Sequence, residues 1–307
     1  MIPREFGRSR IKLSPITFGS MRLDPKQIER KKASKLISYL YEHGINTFHS
    51  SHEYATDPFF CQVIEQFRTQ NPSARLQHIV KIGVPHFDEA EFSSHRLVTL
   101  VENRLRDLGT ERIDLVQWLV RHQPNSDRHR LKILAACQEE LEITWSKLQQ
   151  EGKVGVLTAF PYSVPFAEAV LQLPNCKGLV TYLNLLELEM TPLLEQMARQ
   201  EQGYVAIRPL GGGLITSKIL QAESTEETQK LKAIISALDI PVKDLTKFAI
   251  QFPLLHPVVA SVIVSVSSIE QVKEIVTAID SLESDRQTFN RILKSIADLS
   301  KDVFCSH

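Results

Sequence analysis

Eight short apolar runs alternate with amphipathic stretches along almost the whole chain, and that alternation restricts the fold more than any other feature. The runs cover residues 15–18, 45–48, 79–83, 113–118, 154–158, 179–183, 204–207 and 260–264. They have the length and the β-branched content of buried strands. Between them, residues 27–42, 58–70, 93–108, 130–150, 165–173, 191–201 and 268–281 carry helical spacing. In the first of these, Ile28, Ala33, Leu36, Ile37, Leu40 and Tyr41 fall largely on one face, and Gly44 follows where a helix C-cap favours glycine. Eight strand–helix alternations without a linker predict one parallel α/β domain over residues 1–307. A (β/α)8 barrel needs ~250 residues, so it fits the length better than an open sheet. Residues 4–12 predict a small N-terminal hairpin at the bottom of the barrel. Residues 242–251 and 286–299 predict extra C-terminal helices, and the polar segment 221–232 reads as solvent-exposed.

Composition excludes several classes of function. Lys plus Arg equals Asp plus Glu, 36 each, so no global charge steers the chain toward nucleic acid or an anionic membrane. Hydrophobic residues make up 43%, too many for a disordered chain. The N-terminal residues carry no apolar run of signal-peptide type, and no apolar segment reaches the roughly 18 residues of a membrane span. Cys61, Cys137, Cys176 and Cys305 lack metal-ligand spacing and read as reduced thiols of a cytoplasmic protein. No metal site is expected.

In such a barrel the reactive groups sit at the C-terminal ends of strands. That places His49, Ser50, Ser51, His52, Glu53 and Tyr54 after the second strand, and Lys81 inside the third. A lysine in an apolar strand is costly to bury unless paired. Beside a phenol, its ammonium lowers the phenol's pKa. The bland alternative is a side chain reaching out to solvent. Likewise His49 reads as a hydrogen-bonded core residue, His52 and Glu53 as solvated loop residues, and residues 128–130 as a solvated turn. Trp118 is core or cavity wall, depending on strand phase.

Residues 44–55, Gly-Ile-Asn-Thr-Phe-His-Ser-Ser-His-Glu-Tyr-Ala, resemble the strand-and-loop signature of the aldo-keto reductases. Residues 102–115 resemble that family's third helix and fourth strand, residues 151–155 its entry to strand five, and Asn184-Leu185-Leu186 the end of strand six. Residues 208–215 resemble its strand-seven loop, and 267–272 the helix start that receives an adenosine phosphate. The resemblance implies NADPH- or NADH-dependent reduction of an aldehyde or ketone, with Tyr54 as the proton donor and Lys81 beside it. Where the family has its aspartate this chain has His49, and where it has its histidine, Leu119; Arg121 and His122 follow shortly after. The resemblance further implies cofactor contacts from Leu210, Gly211, Gly212, Gly213, Ser267, Ser268 and Gln271. Ser268 with Gln271 also reads as a plain capping box, and three glycines as a plain tight loop. At the nicotinamide contacts the family's serine–asparagine pair and glutamine become Phe160-Pro161 and Val180, and at the adenine end the chain has Gln271 and Ile275.

Two functional readings follow. One is an NAD(P)-dependent oxidoreductase in which His49, necessarily neutral beside a charged Lys81, replaces the aspartate as hydrogen-bond partner. The other has left hydride transfer. It is either a non-redox acid/base enzyme of isomerase, lyase or cyclase type using Tyr54, Lys81 and His49, or a non-catalytic subunit. A small-molecule substrate is expected, with neither nucleic acid nor membrane, and a protein partner or homo-oligomer stays open.

Overall fold

A computed structural model of the chain describes all residues except 88, 122–125, 281 and 305–307, together with every side chain but those of 220 and 300–304. Cys305, His122 and the last residue of the segment 268–281 therefore lie outside the described residues. A hairpin of β1 (Arg4–Glu5) and β2 (Lys12–Leu13) comes first. Eight parallel strands follow: β3 (Ile16–Gly19), β4 (Thr47–Ser50), β5 (Gln77–Gly83), β6 (Ile113–Leu119), β7 (Val154–Ala159), β8 (Cys176–Tyr182), β9 (Gly203–Ile207) and β10 (Val259–Val264). They close into a barrel in chain order, β10 pairing with both β9 and β3. The helices around it are α1 (Arg30–Glu42), α2 (Asp57–Gln70), α3 (Ser94–Leu108), α4 (Asp127–Gln150), α5 (Val164–Leu171), α6 (Thr191–Arg199), α7 (Glu226–Ala237), α8 (Leu245–Leu254), α9 (Ile269–Ile279) and α10 (Arg286–Phe304). The predicted (β/α)8 barrel, hairpin and extra C-terminal helices are all present.

Strand phase sorts the interior into layers. At the bottom, Phe6, Ile11 and Leu13 of the hairpin region pack with Ile79, Leu115, Val156, Val180, Val205 and Ala260, and Ile263 carries the cluster up to the cavity. Phe6 is completely buried, and a Cβ at Gly203 would lie 2.5 Å from its ring, so that strand must carry glycine for the plug to seat. Above this apolar plug the interior turns polar. Thr17 and Ser261 share a 2.7 Å hydrogen bond, and His49 reaches Gln117 across the barrel. The cavity opens above them.

Residues 221–232 are mostly exposed, as the sequence reading expected, with Thr228 and Leu231 buried; what that reading did not foresee is a helix. Helix α7 starts within this segment, where Thr225 and Thr228 cap each other reciprocally. Its inner face buries Thr228, Leu231, Ile234 and Ile235 at helical spacing, beneath a surface polar enough to conceal the stripe. Residues 128–130 are corrected: Arg130 is buried, its Nε donates to Val120 O at 3.2 Å, and its guanidinium lies 3.8 Å from the Tyr162 ring centre. Trp118 is core, donating from Nε1 to Val84 O at 2.7 Å. Among the described residues no helix is long and apolar enough to cross a membrane.

Candidate active site

The loop from β4 to α2 is pinned from below. Arg104 of α3 is fully buried and grips Asp57 at the start of α2 through both guanidinium nitrogens, at 2.5 and 3.1 Å. The same guanidinium donates to Ser50 Oγ at the end of β4, 3.3 Å away. Strand end and helix start are thus tied to one rigid cation, and the intervening residues must turn above it. Tyr54 N donates to Ser51 O (3.0 Å) and Asp57 N to Tyr54 O (2.9 Å), which sets the turn.

This turn points Glu53 inward. Its side chain is 15% exposed, and Oε2 lies 3.0 Å from Lys81 Nζ and 2.5 Å from Arg121 Nη2. His86 Nε2 approaches the other carboxylate oxygen at 3.7 Å. Glu53 is therefore no solvated loop residue. Burial pushes its pKa up, but Lys81 and Arg121 outweigh that and hold it below the ordinary glutamate value. His52, by contrast, is exposed.

Lys81 is 17% exposed and does not escape to solvent. Burial lowers its pKa and the Glu53 carboxylate opposes the fall. Its ammonium sits 5.3 Å from the centre of the Tyr54 ring. The sequence-based expectation that this ammonium lowers the phenol's pKa is not met. Burial, followed by the Glu53 charge, pushes the Tyr54 pKa up, and Arg121 is the cation that counteracts them. Tyr54 thus keeps its proton through the neutral range.

His49 is buried and its pKa falls to about 4, chiefly by desolvation and also by the Lys81 charge, so the imidazole is neutral. It hydrogen-bonds Gln117 Oε1 at 2.9 Å, rather than standing in for an acid beside Lys81. Gln117 Nε2 donates to Val180 O at 2.7 Å, which leaves Oε1 as acceptor and assigns the proton to His49 Nε2. The His49 and Tyr54 ring centres are 6.1 Å apart.

A cavity of about 420 Å³ rises from these groups. His49, Tyr54, Lys81, Gln117, Leu119 and Arg121 line its lower part. Leu119 and Arg121 share a strand phase, and Arg121 N is anchored on Pro85 O (3.0 Å). One wall is aromatic: Phe160 packs edge-on against Tyr162 (5.0 Å) and Tyr182 (5.1 Å). Val180 lies in the apolar plug one layer lower, and Tyr182, two residues on, is the β8 side chain that reaches the cavity.

At the opposite rim stand Leu210, Gly212 and Gly213. Gly211, Gly212 and Gly213 all have positive φ, a backbone that few other residues adopt without strain. Arg22 donates to Gly212 O (3.1 Å), and Arg208, itself at φ 56°, lies over Tyr182 and pairs with Glu187 (3.2 Å). Buried Asn184 holds that turn by donating to Arg208 O at 2.8 Å. Ser267, Ser268 and Gln271 are away from the cavity lining. Ser268 caps α9 by accepting from Gln271 N, while Gln271 Oε1 accepts from Ser267 N at 2.8 Å. Ile275 is buried on the inner face of α9.

The site therefore unites Tyr54, Lys81 and His49 with Glu53 and Arg208, which the sequence placed in the loops after the second and seventh strands, and with two residues that sequence reasoning gave no role, Gln117 and Arg22. Gln117 carried a usable signal, a glutamine in the middle of an apolar strand. Among the described residues no group of three His, Cys, Asp or Glu is placed to hold a metal ion.

Comparison with known proteins gives a consistent picture. The sequence model described as the aldo/keto reductase family matches residues 15–297. The L-galactose dehydrogenase of Arabidopsis thaliana is 25% identical, over 94% of this chain and 92% of its own. An uncharacterized oxidoreductase of Bacillus subtilis is 26% identical, over 100% and 99%. Among solved structures, an aldo-keto reductase from Bacillus halodurans in its holo form superposes with a TM-score of 0.73 at 22% identity, covering 96% of each chain. A putative aldo-keto reductase from Pseudomonas aeruginosa gives 0.66 at 20% identity, over 92% of this chain and 96% of its own.

Proposed function

The chain belongs to the aldo/keto reductase family, and from that premise we propose that it is a nicotinamide-dependent carbonyl oxidoreductase with a rearranged proton-transfer group. Tyr54 is the proton donor, Lys81 the adjoining cation, and Glu53 the carboxylate that holds the cation. One observation carries the reading: Lys81 Nζ, beside the Tyr54 ring, is 3.0 Å from Glu53 Oε2, so an acid one residue before Tyr54 does what the resemblance expects of an aspartate at position 49.

The residues at the rim suit a dinucleotide's diphosphate. The glycine turn leaves backbone room, and Arg22 and Arg208 flank it. Bound there, the nicotinamide would supply hydride to the carbonyl carbon. Tyr54 gives its proton to the carbonyl oxygen, yielding an alcohol. A high phenol pKa is no obstacle, because the developing alkoxide is a stronger base than the phenolate. Phe160 and Tyr182 exclude water from the reacting centre. His49, neutral and donating from Nε2 to Gln117, orients the floor of the site and takes no part in the proton transfer. The name of the Arabidopsis relative supports the oxidoreductase class; its substrate is not carried over at 25% identity.

A second reading, proton transfer by Tyr54 and Lys81 without hydride, draws on the nicotinamide end. Aromatic side chains form the wall there, and both ends of the Gln117 amide are engaged. Titration of the protein with NADPH and NADH by calorimetry, followed by a carbonyl panel, separates the two. Saturable binding near one equivalent with aldehyde-dependent oxidation of the cofactor supports the first. Absence of binding up to millimolar cofactor supports the second.

A further inference from the structure

Resting on the reductase reading, we infer that the site selects carbonyl substrates bearing a carboxylate or similar anion, and that Arg121 is the specificity-determining residue. Among the described residues lining the cavity there is no Asp or Glu, yet Arg22, Lys81, Arg121 and Arg208 all face it. The two at the rim have partners of their own, Gly212 O for Arg22 and Glu187 for Arg208. The two at the floor share a single carboxylate, Glu53; Arg121 also donates to His86 Nε2 at 3.3 Å and lies over the Phe87 ring, while its buried Nε has no hydrogen-bond partner. Two cations on one acid leave an excess positive charge, with Lys81 17% and Arg121 14% exposed. A charge so poorly hydrated favours an anion arriving through the cavity.

Geometry assigns the contact to Arg121. Lys81 lies at the Tyr54 ring, where the carbonyl must dock. Arg121 lines the same cavity as Tyr54 and Tyr162, on the other side of the Glu53 carboxylate from Lys81. A carbonyl at Tyr54 and an anion at Arg121 then belong to one small molecule, its carbon frame against Phe160 and Tyr162. A guanidinium, planar and forked, matches a carboxylate better than an ammonium does. The competing role is that Arg121 serves only the developing alkoxide, which would make it indifferent to substrate charge.

The test compares 4-carboxybenzaldehyde with its uncharged methyl ester. In the wild type the acid should have the higher kcat/KM by about tenfold or more, the scale of one charge-assisted hydrogen-bond pair. Arg121→Gln should collapse that ratio to near one, and Arg121→Lys, which keeps the charge but loses the fork, should retain part of it. Calorimetry with benzoate and benzamide supplies a readout independent of turnover: benzoate should bind the wild type and weaken about tenfold in Arg121→Gln, with benzamide weak in both. Reduction of both aldehydes with no preference for the acid, or equal loss of both in Arg121→Gln, overturns the inference and leaves the reductase reading standing. Benzoate binding through Arg121 without any aldehyde reduction keeps the anion site and removes the reductase.

Discussion

Lys81 and Glu53 form an ion pair at 3.0 Å that joins strand β5 to the loop after its neighbour β4, the loop that carries Tyr54. The pair lets a chain with His49 on the strand still present a carboxylate to the lysine beside Tyr54. It also makes the lysine's charge state depend on a loop residue.

Glu53→Gln tests that dependence. Burial already lowers the Lys81 pKa, and Glu53 holds it up. Removing the carboxylate lowers it further, so Lys81 loses its proton at a lower pH. The alkaline limb of the kcat/KM profile should move to lower pH, and activity at neutral pH should fall by about tenfold or more. A profile unchanged in position would assign Glu53 a purely structural role.

Acid should destabilise the protein through buried histidines. His78 is completely buried, and desolvation takes its pKa to about 3. The unfolded chain binds that proton near pH 6.5, the folded chain only near 3. Stability is therefore fully present above 6.5 and is lost as pH falls, by about 1.4 kcal/mol per unit. His49, with a pKa of about 4, adds a similar slope over most of that window. Urea unfolding at pH 6.5 and pH 5 should show His78→Leu losing roughly 2 kcal/mol less than the wild type between the two.

Arg104→Leu should damage both stability and the site. Asp57 would be left buried without its cation, at a cost of roughly 3–5 kcal/mol. The turn bearing Glu53 and Tyr54 would also lose its pin at Ser50. Denaturant titration checks the first effect. A larger fall in kcat/KM for Arg104→Leu than for a surface variant of equal stability checks the second.

The barrel was legible because β-branched runs such as 79–83 and 113–118 have no comparably good alternative to a buried strand. Helix α7 escaped because its buried stripe of Leu231, Ile234 and Ile235 is short and begins inside a polar segment that composition alone marks as solvent-exposed. In the site, Tyr54 and Lys81 were legible from their place at strand ends. The inward direction of Glu53 was not, since a loop side chain has no period to fix it; the turn above the Arg104 clamp and the ion pairs with Lys81 and Arg121 hold it. Val180 sits one layer too deep, and strand phase gives the face of a residue without its height in the barrel.

The most direct measurement is a single-turnover reaction with NADPH deuterated at the transferable C4 position and an aldehyde substrate, the alcohol being analysed by mass spectrometry for the wild type and Tyr54→Phe. The expected result is one deuterium on the carbinol carbon in the wild type and a rate lower by about 10²–10⁴ in Tyr54→Phe, the usual contribution of a general acid. Alcohol without deuterium, no alcohol from any aldehyde tried, or an undiminished rate in Tyr54→Phe would contradict hydride transfer assisted by Tyr54.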